Sequence, residues 1–177
     1  PFSDPGDYFS AEAPAKYKIK GSYGHPVPVV DGKTQSAGSA AKAIVLRKEF
    51  TEEKDLFSID YTSAYSTPNL DKLIRTFVYD RQGEGSFTVS DEFTADTPIR
   101  FETAITTQAD WKVLDDTRLL LTSGTEQMIV NIEASGKVAF TSETIEVNAP
   151  AYTRIGIALK EQSEKGYIRL KMQAKQL

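Results

Sequence analysis

The sequence predicts an all-β protein, an antiparallel β-sandwich of many short strands with one short helix near residues 67–73. Two observations predict this fold class. Apolar and polar residues alternate along most of the chain, and turn-forming residues separate the alternating stretches. With 177 residues, 40% of them hydrophobic, the chain is long enough to bury one core, so we expect residues 1–177 to form a single domain.

Five stretches carry the clearest alternation and are predicted to be strands. Successive side chains of a strand point to opposite faces, so each stretch would have one apolar and one polar face, as a sandwich requires. The stretches are 57–61, 101–105, 128–132, 155–159 and 168–172.

Turn signals lie between the alternating stretches and predict tight connections. The segment 35–43, rich in Ala, Ser and Gly, is predicted to be a loop that enters a strand. The predicted turns are Asp31-Gly32, residues 81–85, Asp115-Asp116, Ser123-Gly124, Ser135-Gly136 and Lys165-Gly166.

The one predicted helix follows Ser66. Thr67 can cap it, Pro68 suits its first position, and Leu70 and Leu73 would share a face. We expect it to be about two turns long at most.

Charge and composition exclude several classes of function. The net charge is −4, which argues against a general binder of nucleic acid or of membrane surfaces, because phosphate neutralisation needs clustered Lys and Arg. The same charge means that an acidic ligand would need a local basic cluster, and none is visible in the sequence. The chain has no cysteine, and no apolar run approaches the roughly 20 residues of a membrane span.

His25 is the only histidine, so any imidazole base, acid or metal ligand must be this residue. Pro26 and Pro28 follow it, and proline cannot donate to a central ladder, so an extended edge segment is predicted. On these residues alone, a structural or solvent-facing histidine is the more common interpretation.

Other candidates have weaker independent support. Asp4 precedes Pro5-Gly6 and fits an ordinary turn. Tyr23 and Trp111 could each contact a sugar, although aromatic residues of a β-protein more often pack. The chain contains no phosphate-binding glycine loop, nucleophile elbow or His-Glu-x-x-His motif, so catalysis by this chain alone is poorly supported.

Two runs resemble the start of the C-terminal β-domain of the heparinase II/III-like polysaccharide lyases. They are residues 3–8 and 22–35, the second of which contains Tyr23, His25 and Asp31-Gly32. Residues 75–81, 89–92 and 101–107 are similar to the stretches that follow in that family. The resemblance covers most of the chain.

This resemblance implies β-elimination on an acidic, uronic-acid-containing polysaccharide, with the glycan lying between an N-terminal α/α-toroid and the β-domain. It implies that His25 faces the cleft, while Tyr23 and Trp111 are candidate contacts to substrate on their residue types alone. Because the chain begins at Pro1, we expect the helical domain to belong to a longer parent and this chain alone to be inactive. Such a role implies a secreted or periplasmic protein.

Some members of the family hold zinc in the β-domain, and by that pattern Asp4 and His25 would be two of its ligands. Carboxylate oxygen and imidazole nitrogen both suit zinc. The third ligand would lie upstream of Pro1, so we expect an incomplete site and no firmly bound zinc here. Two other hypotheses stay open: a carbohydrate-binding module without catalysis, and a structural β-sandwich.

Overall fold

A computed structural model of the chain describes residues 18, 21–145 and 151–175. These residues form two antiparallel sheets packed as a sandwich, which confirms the predicted fold class. In chain order the strands are β1 (Val29–Val30), β2 (Ile44–Phe50), β3 (Lys54–Asp60), β4 (Leu70–Asp80), β5 (Ser86–Ile99), β6 (Phe101–Thr107), β7 (Asp110–Asp115), β8 (Arg118–Ser123), β9 (Glu126–Ala134), β10 (Val138–Ile145), β11 (Tyr152–Leu159) and β12 (Ser163–Ala174).

The two sheets differ in width. The smaller has four strands in the order β1-β6-β11-β10, and the larger has eight in the order β2-β3-β4-β5-β12-β9-β8-β7. Alternate side chains of both sheets meet in the core, where the rings of Phe93 and Phe101 stack with centroids 4.6 Å apart. Every residue of β2, at one edge of the larger sheet, is exposed.

Four of the predicted strand stretches lie within strands, and the stretch 57–61 extends one residue past β3, which ends at Asp60. Strands β4, β5 and β12 contain 11, 14 and 12 residues and are longer than expected. The Asp31-Gly32 turn is confirmed, with positive φ at both residues, 49° and 75°. The turn predicted at Lys165-Gly166 is wrong. Both residues lie inside β12, beside a shift of register between Ser163 and Lys165.

The helix predicted near residues 67–73 is also wrong. The backbone makes a turn in which the Leu70 amide donates to the Thr67 carbonyl at 3.1 Å, and β4 then begins. Leu70 and Leu73 are both buried, as a helical face would require. A register shift between Leu70 and Lys72 gives a strand the same spacing, because a bulge brings residues three apart onto one face.

The described residues include two short 3-10 turns, at Ser22–Gly24 and Thr62–Ala64. Within the described ranges, none of the helical segments has the length and apolar character needed to cross a membrane.

Candidate functional site

His25 lies directly after the Ser22–Gly24 turn, and its side chain is exposed. Its imidazole forms no hydrogen bond or ion pair with the described residues. It borders a shallow groove of about 330 Å³. The groove is lined by Gly24, His25, Thr106, Thr107, Gln108 and Tyr152.

The backbone around His25 is held from several sides. The Tyr152 hydroxyl donates to the Gly24 carbonyl at 2.8 Å. Arg75 Nη1 donates to the Pro26 carbonyl at 2.7 Å. These bonds fix the residues on both sides of His25, so the exposed imidazole stands on a segment anchored to the fold. The segment consists of residues 24–28 and is called the histidine segment below.

The anchor beneath the histidine segment is a buried polar network. Arg75 and Asp91 form a two-pronged ion pair, with Nε–Oδ1 and Nη2–Oδ2 distances of 2.7 Å. Tyr61 and Thr103 donate to the same carboxylate at 2.8 and 2.7 Å. Since Thr103 belongs to the smaller sheet and Arg75 to the larger, the network ties both sheets to the histidine segment.

Burial and charge act in opposite directions on Arg75. Burial alone would lower the pKa of its guanidinium, but the charge of Asp91 and the hydrogen bonds to it together raise that pKa above its usual value. The pKa of the Tyr61 phenol is raised, mainly by burial and then by the Asp91 charge. Both groups therefore keep their protons at neutral pH.

Tyr23 lies on the outer face of the smaller sheet. Its hydroxyl donates to Glu143 Oε2 at 2.8 Å, and its ring covers the Arg154 guanidinium with a ring-to-Cζ distance of 4.3 Å. Burial and the hydrogen bond to Glu143 raise the pKa of the phenol. Tyr23 therefore stays protonated at neutral pH, with its proton committed to a carboxylate.

Arg154 is almost fully buried, with 2% of its side chain exposed. Its Nη1 donates to Glu102 Oε1 at 2.7 Å, whereas Nε and Nη2 have no hydrogen-bond partner among the described residues. Gly156 makes room for Glu102, because a Cβ built at Gly156 would lie 2.8 Å from the Glu102 Cδ. The ring of Tyr23 thus covers a charged pair that the sequence did not suggest.

The predicted site residues are only partly brought together. Tyr23 and His25 lie on either side of Gly24, but Trp111 is on the edge strand β7, half-buried against the core, and does not line the groove beside His25. Asp4 lies outside the described residues. The roles assigned to these four residues remain predictions.

Thr106, Gln108 and Tyr152 were missed by the sequence analysis. Their positions depend on the pairing of β6 with β11, in which Thr107 lies opposite Thr153. No local motif marks them.

The described residues do not fit a zinc site around His25. Its neighbours in the groove offer hydroxyl and amide groups, whereas zinc prefers thiolate, imidazole and carboxylate ligands. In the described part of the chain, no three His, Asp or Glu side chains are grouped so that they could hold a metal ion. A zinc ion at His25 would need ligands from beyond these residues, which is where Asp4 lies.

The fold and the groove define a two-sheet β-sandwich with an exposed histidine on an anchored segment, and solved structures share this fold. A heparinase III structure matches with a TM-score of 0.65 and 16% identity over 85% of this chain and 23% of that chain. Heparan sulfate lyase HepC from Pedobacter heparinus matches with a TM-score of 0.68 and 13% identity over 92% and 25%. The heparinase III BT4657 gene product matches with a TM-score of 0.71 and 12% identity over 98% and 28%.

The expected resemblance to heparinase II/III-type β-domains is thus confirmed at the level of the fold. The chain spans about a quarter of the length of each matched protein. No protein-family model and no curated protein matches the sequence.

Proposed function

We propose that this chain is the β-sandwich portion of a heparinase II/III-type polysaccharide lyase that cleaves uronic-acid-containing glycans by β-elimination. In this proposal the groove beside His25 forms one wall of the cleft. The observation that supports it most directly is the exposed imidazole on the anchored histidine segment, which is unpaired among the described residues, within a fold shared with heparinase III.

The reaction breaks the C5–H bond of the uronate and the C4–O4 bond, and it forms a double bond between C4 and C5. The C5 proton passes to a base, and the leaving O4 takes up a proton. Imidazole can carry out either transfer near neutral pH. His25 is the described residue suited to this role, because the other groove side chains are hydroxyls and an amide.

The proposal requires a second domain. The groove is shallow, and among the described residues that line it, His25 has no second unpaired titratable group next to it. A helical domain of the same protein would supply the opposite wall and the groups that neutralise the uronate carboxylate. The short coverage of the matched chains supports this arrangement, as do the exposed apolar side chains of Ile44, Val45 and Leu46 on β2. A glycan-degrading role favours secretion or a periplasmic location.

The test is an elimination assay on uronic-acid-containing polysaccharides, which follows the absorbance of the new double bond. We expect a longer protein containing this chain to be active, and the 177-residue chain to be inactive. In the longer protein, His25→Ala should lower kcat by at least about 100-fold, the usual contribution of a general acid or base.

A Thr106→Val variant serves as a control, because it changes the same groove without removing a titratable group. Because the His25 side chain is exposed and makes no bond to the described residues, its substitution should leave the unfolding midpoint unchanged. Full activity of the His25→Ala variant would refute the role of His25. Glycan binding without elimination by the longer protein would favour a non-catalytic carbohydrate-binding module instead.

A further inference from the structure

A second groove lies on the opposite side of the sandwich, on the outer face of the larger sheet. It has a volume of about 510 Å³ and crosses β4, β5 and β12, with Ser135 at its border. The lining side chains of Lys72, Ile74, Glu92 and Thr94 alternate with inward-pointing residues such as Leu73 and therefore point away from the core, although the core residue Phe93 also borders the groove. It is separate from the groove beside His25, which lies on the smaller sheet.

Strand pairing brings two lysines together in this groove. Lys72 lies opposite Thr94, and Thr94 lies opposite Lys165, so the three residues form a row across neighbouring strands. At the usual strand spacing, the two lysine Cα atoms are about 10 Å apart. Both lysines are exposed, and neither forms an ion pair with the described residues.

The next row supplies an apolar surface. Ile74, Glu92 and Tyr167 lie opposite one another in register, and the side chains of Ile74 and Tyr167 are half-buried. The Tyr167 hydroxyl donates to Glu133 Oε1 at 3.1 Å, which holds the ring in place. A fixed aromatic ring beside an aliphatic side chain is a suitable platform for the apolar face of a pyranose.

Carboxylates also border the groove. Glu92 lies within it, and Asp71 accepts a hydrogen bond from Thr94 at 2.8 Å. These acidic groups would repel a bare anion, whereas they can accept hydrogen bonds from sugar hydroxyls. The groove thus combines two ammonium groups that have no ion pair within the described ranges, an apolar platform and carboxylates that can bind hydroxyls. This combination is complementary to a sugar that carries its own carboxylate.

We propose that this groove is a second glycan-binding site that holds an acidic saccharide, with a pyranose ring on Tyr167 and Ile74 and its carboxylate between Lys72 and Lys165. The inference shares with the proposed function the assumption that the ligand is an acidic glycan. It goes further, because it assigns binding to the 177-residue chain itself and to a face that takes no part in the elimination.

The test is titration of the 177-residue chain with a heparan sulfate tetrasaccharide, followed by calorimetry and by amide chemical shifts. We expect the shifts to concentrate at Lys72, Thr94, Lys165 and Tyr167. Lys72→Ala and Lys165→Ala should each weaken binding by about threefold to fivefold, the usual range for an exposed charge contact. A tetrasaccharide whose carboxylates have been reduced to alcohols should bind more weakly still.

Lys171→Ala is the matched control, since Lys171 is an exposed lysine on the same strand, about 20 Å further along it. It should leave the affinity unchanged. Tyr167→Phe should keep most of the affinity, whereas Tyr167→Ala should lose it.

Four outcomes would overturn the inference: no binding, shifts at His25 alone, equal binding of the reduced sugar, or an equal effect of Lys171→Ala. Binding in this groove by the 177-residue chain, together with no lyase activity of the longer protein, would support the inference and refute the proposed function. Lyase activity of the longer protein without binding in this groove would support the proposed function and refute the inference.

Discussion

The buried carboxylate of Asp91 illustrates how one residue can connect the core to the candidate site. It is 1% exposed and accepts hydrogen bonds from Arg75, Tyr61 and Thr103. Arg75 in turn holds the Pro26 carbonyl beside His25. The polar interior therefore has a structural role that reaches the groove.

Replacing Asp91 by Asn should strongly destabilise the chain. The substitution keeps the shape of the side chain but leaves the guanidinium of Arg75 buried without a counter-charge, a change that costs about 3–5 kcal/mol. Urea unfolding would measure the change. Glu49→Gln is a suitable control, because it weakens the exposed pair with Arg47 and should have almost no effect. Similar small effects of the two variants would show that the buried charge of Arg75 needs no partner.

The sequence identified His25 as the residue of interest because it is the only histidine. The sequence could not identify Arg75 and Asp91 as the residues that support the histidine segment. Charged residues in an alternating stretch are normally assigned to the solvent-exposed face of a strand. Lys72 and Lys165 were missed as a cluster for the same reason. They are far apart in sequence, and only the pairing of β4, β5 and β12 brings them into one row.

At the scale of single elements, strand patterns were predictable wherever alternation was regular. The exception is the start of β4, where the bulge between Leu70 and Lys72 produced a spacing typical of a helix. A bulge adds one residue to the period of two, and no turn signal marks it. The Lys165-Gly166 prediction failed at a comparable irregularity, since glycine is also found where strands shift register.

Among the described strands, β2 has one hydrogen-bonding edge without a neighbouring strand, and it carries exposed apolar side chains. Ile44, Val45 and Leu46 are 65%, 52% and 49% exposed. Such an edge can pair with another chain. We expect the isolated chain to associate reversibly as its concentration rises, with light scattering as the measurement.

Leu46→Lys should reduce this association, because a charge on an edge strand opposes pairing. The reciprocal variant Lys48→Leu, in the same strand, should increase it. If both variants scatter light as the unmodified chain does, β2 is not the surface through which copies meet.

At the scale of the whole molecule, the free energy of unfolding should fall as the pH becomes alkaline. Tyr61 and Tyr65 are 4% and 6% exposed, and burial, followed by the charge of Asp91, raises the pKa of both phenols. An unfolded tyrosine loses its proton near pH 10. The folded state keeps protons that the unfolded state releases. The free energy of unfolding is therefore unaffected below about pH 10 and falls as the pH rises above it.

Each buried tyrosine should contribute a slope of about 1.4 kcal/mol per pH unit in that range. Urea unfolding at a series of alkaline pH values would measure the slope, and Tyr65→Phe should remove one tyrosine's share of it. An unchanged slope in this variant would mean that Tyr65 ionises without unfolding.

Two carbonyls on the C-terminal side of His25, those of Pro26 and Pro28, are held by core side chains, which has a consequence for the motions of the chain. Arg75 reaches the Pro26 carbonyl, and the Tyr65 hydroxyl reaches the Pro28 carbonyl at 2.8 Å. The histidine segment can detach from the fold only if these core residues release its carbonyls. We therefore expect its detachment to require local unfolding of the core, unlike the motion of a surface loop. The backbone that carries the imidazole is thus held in place, and binding there does not require the entropic cost of ordering a loop.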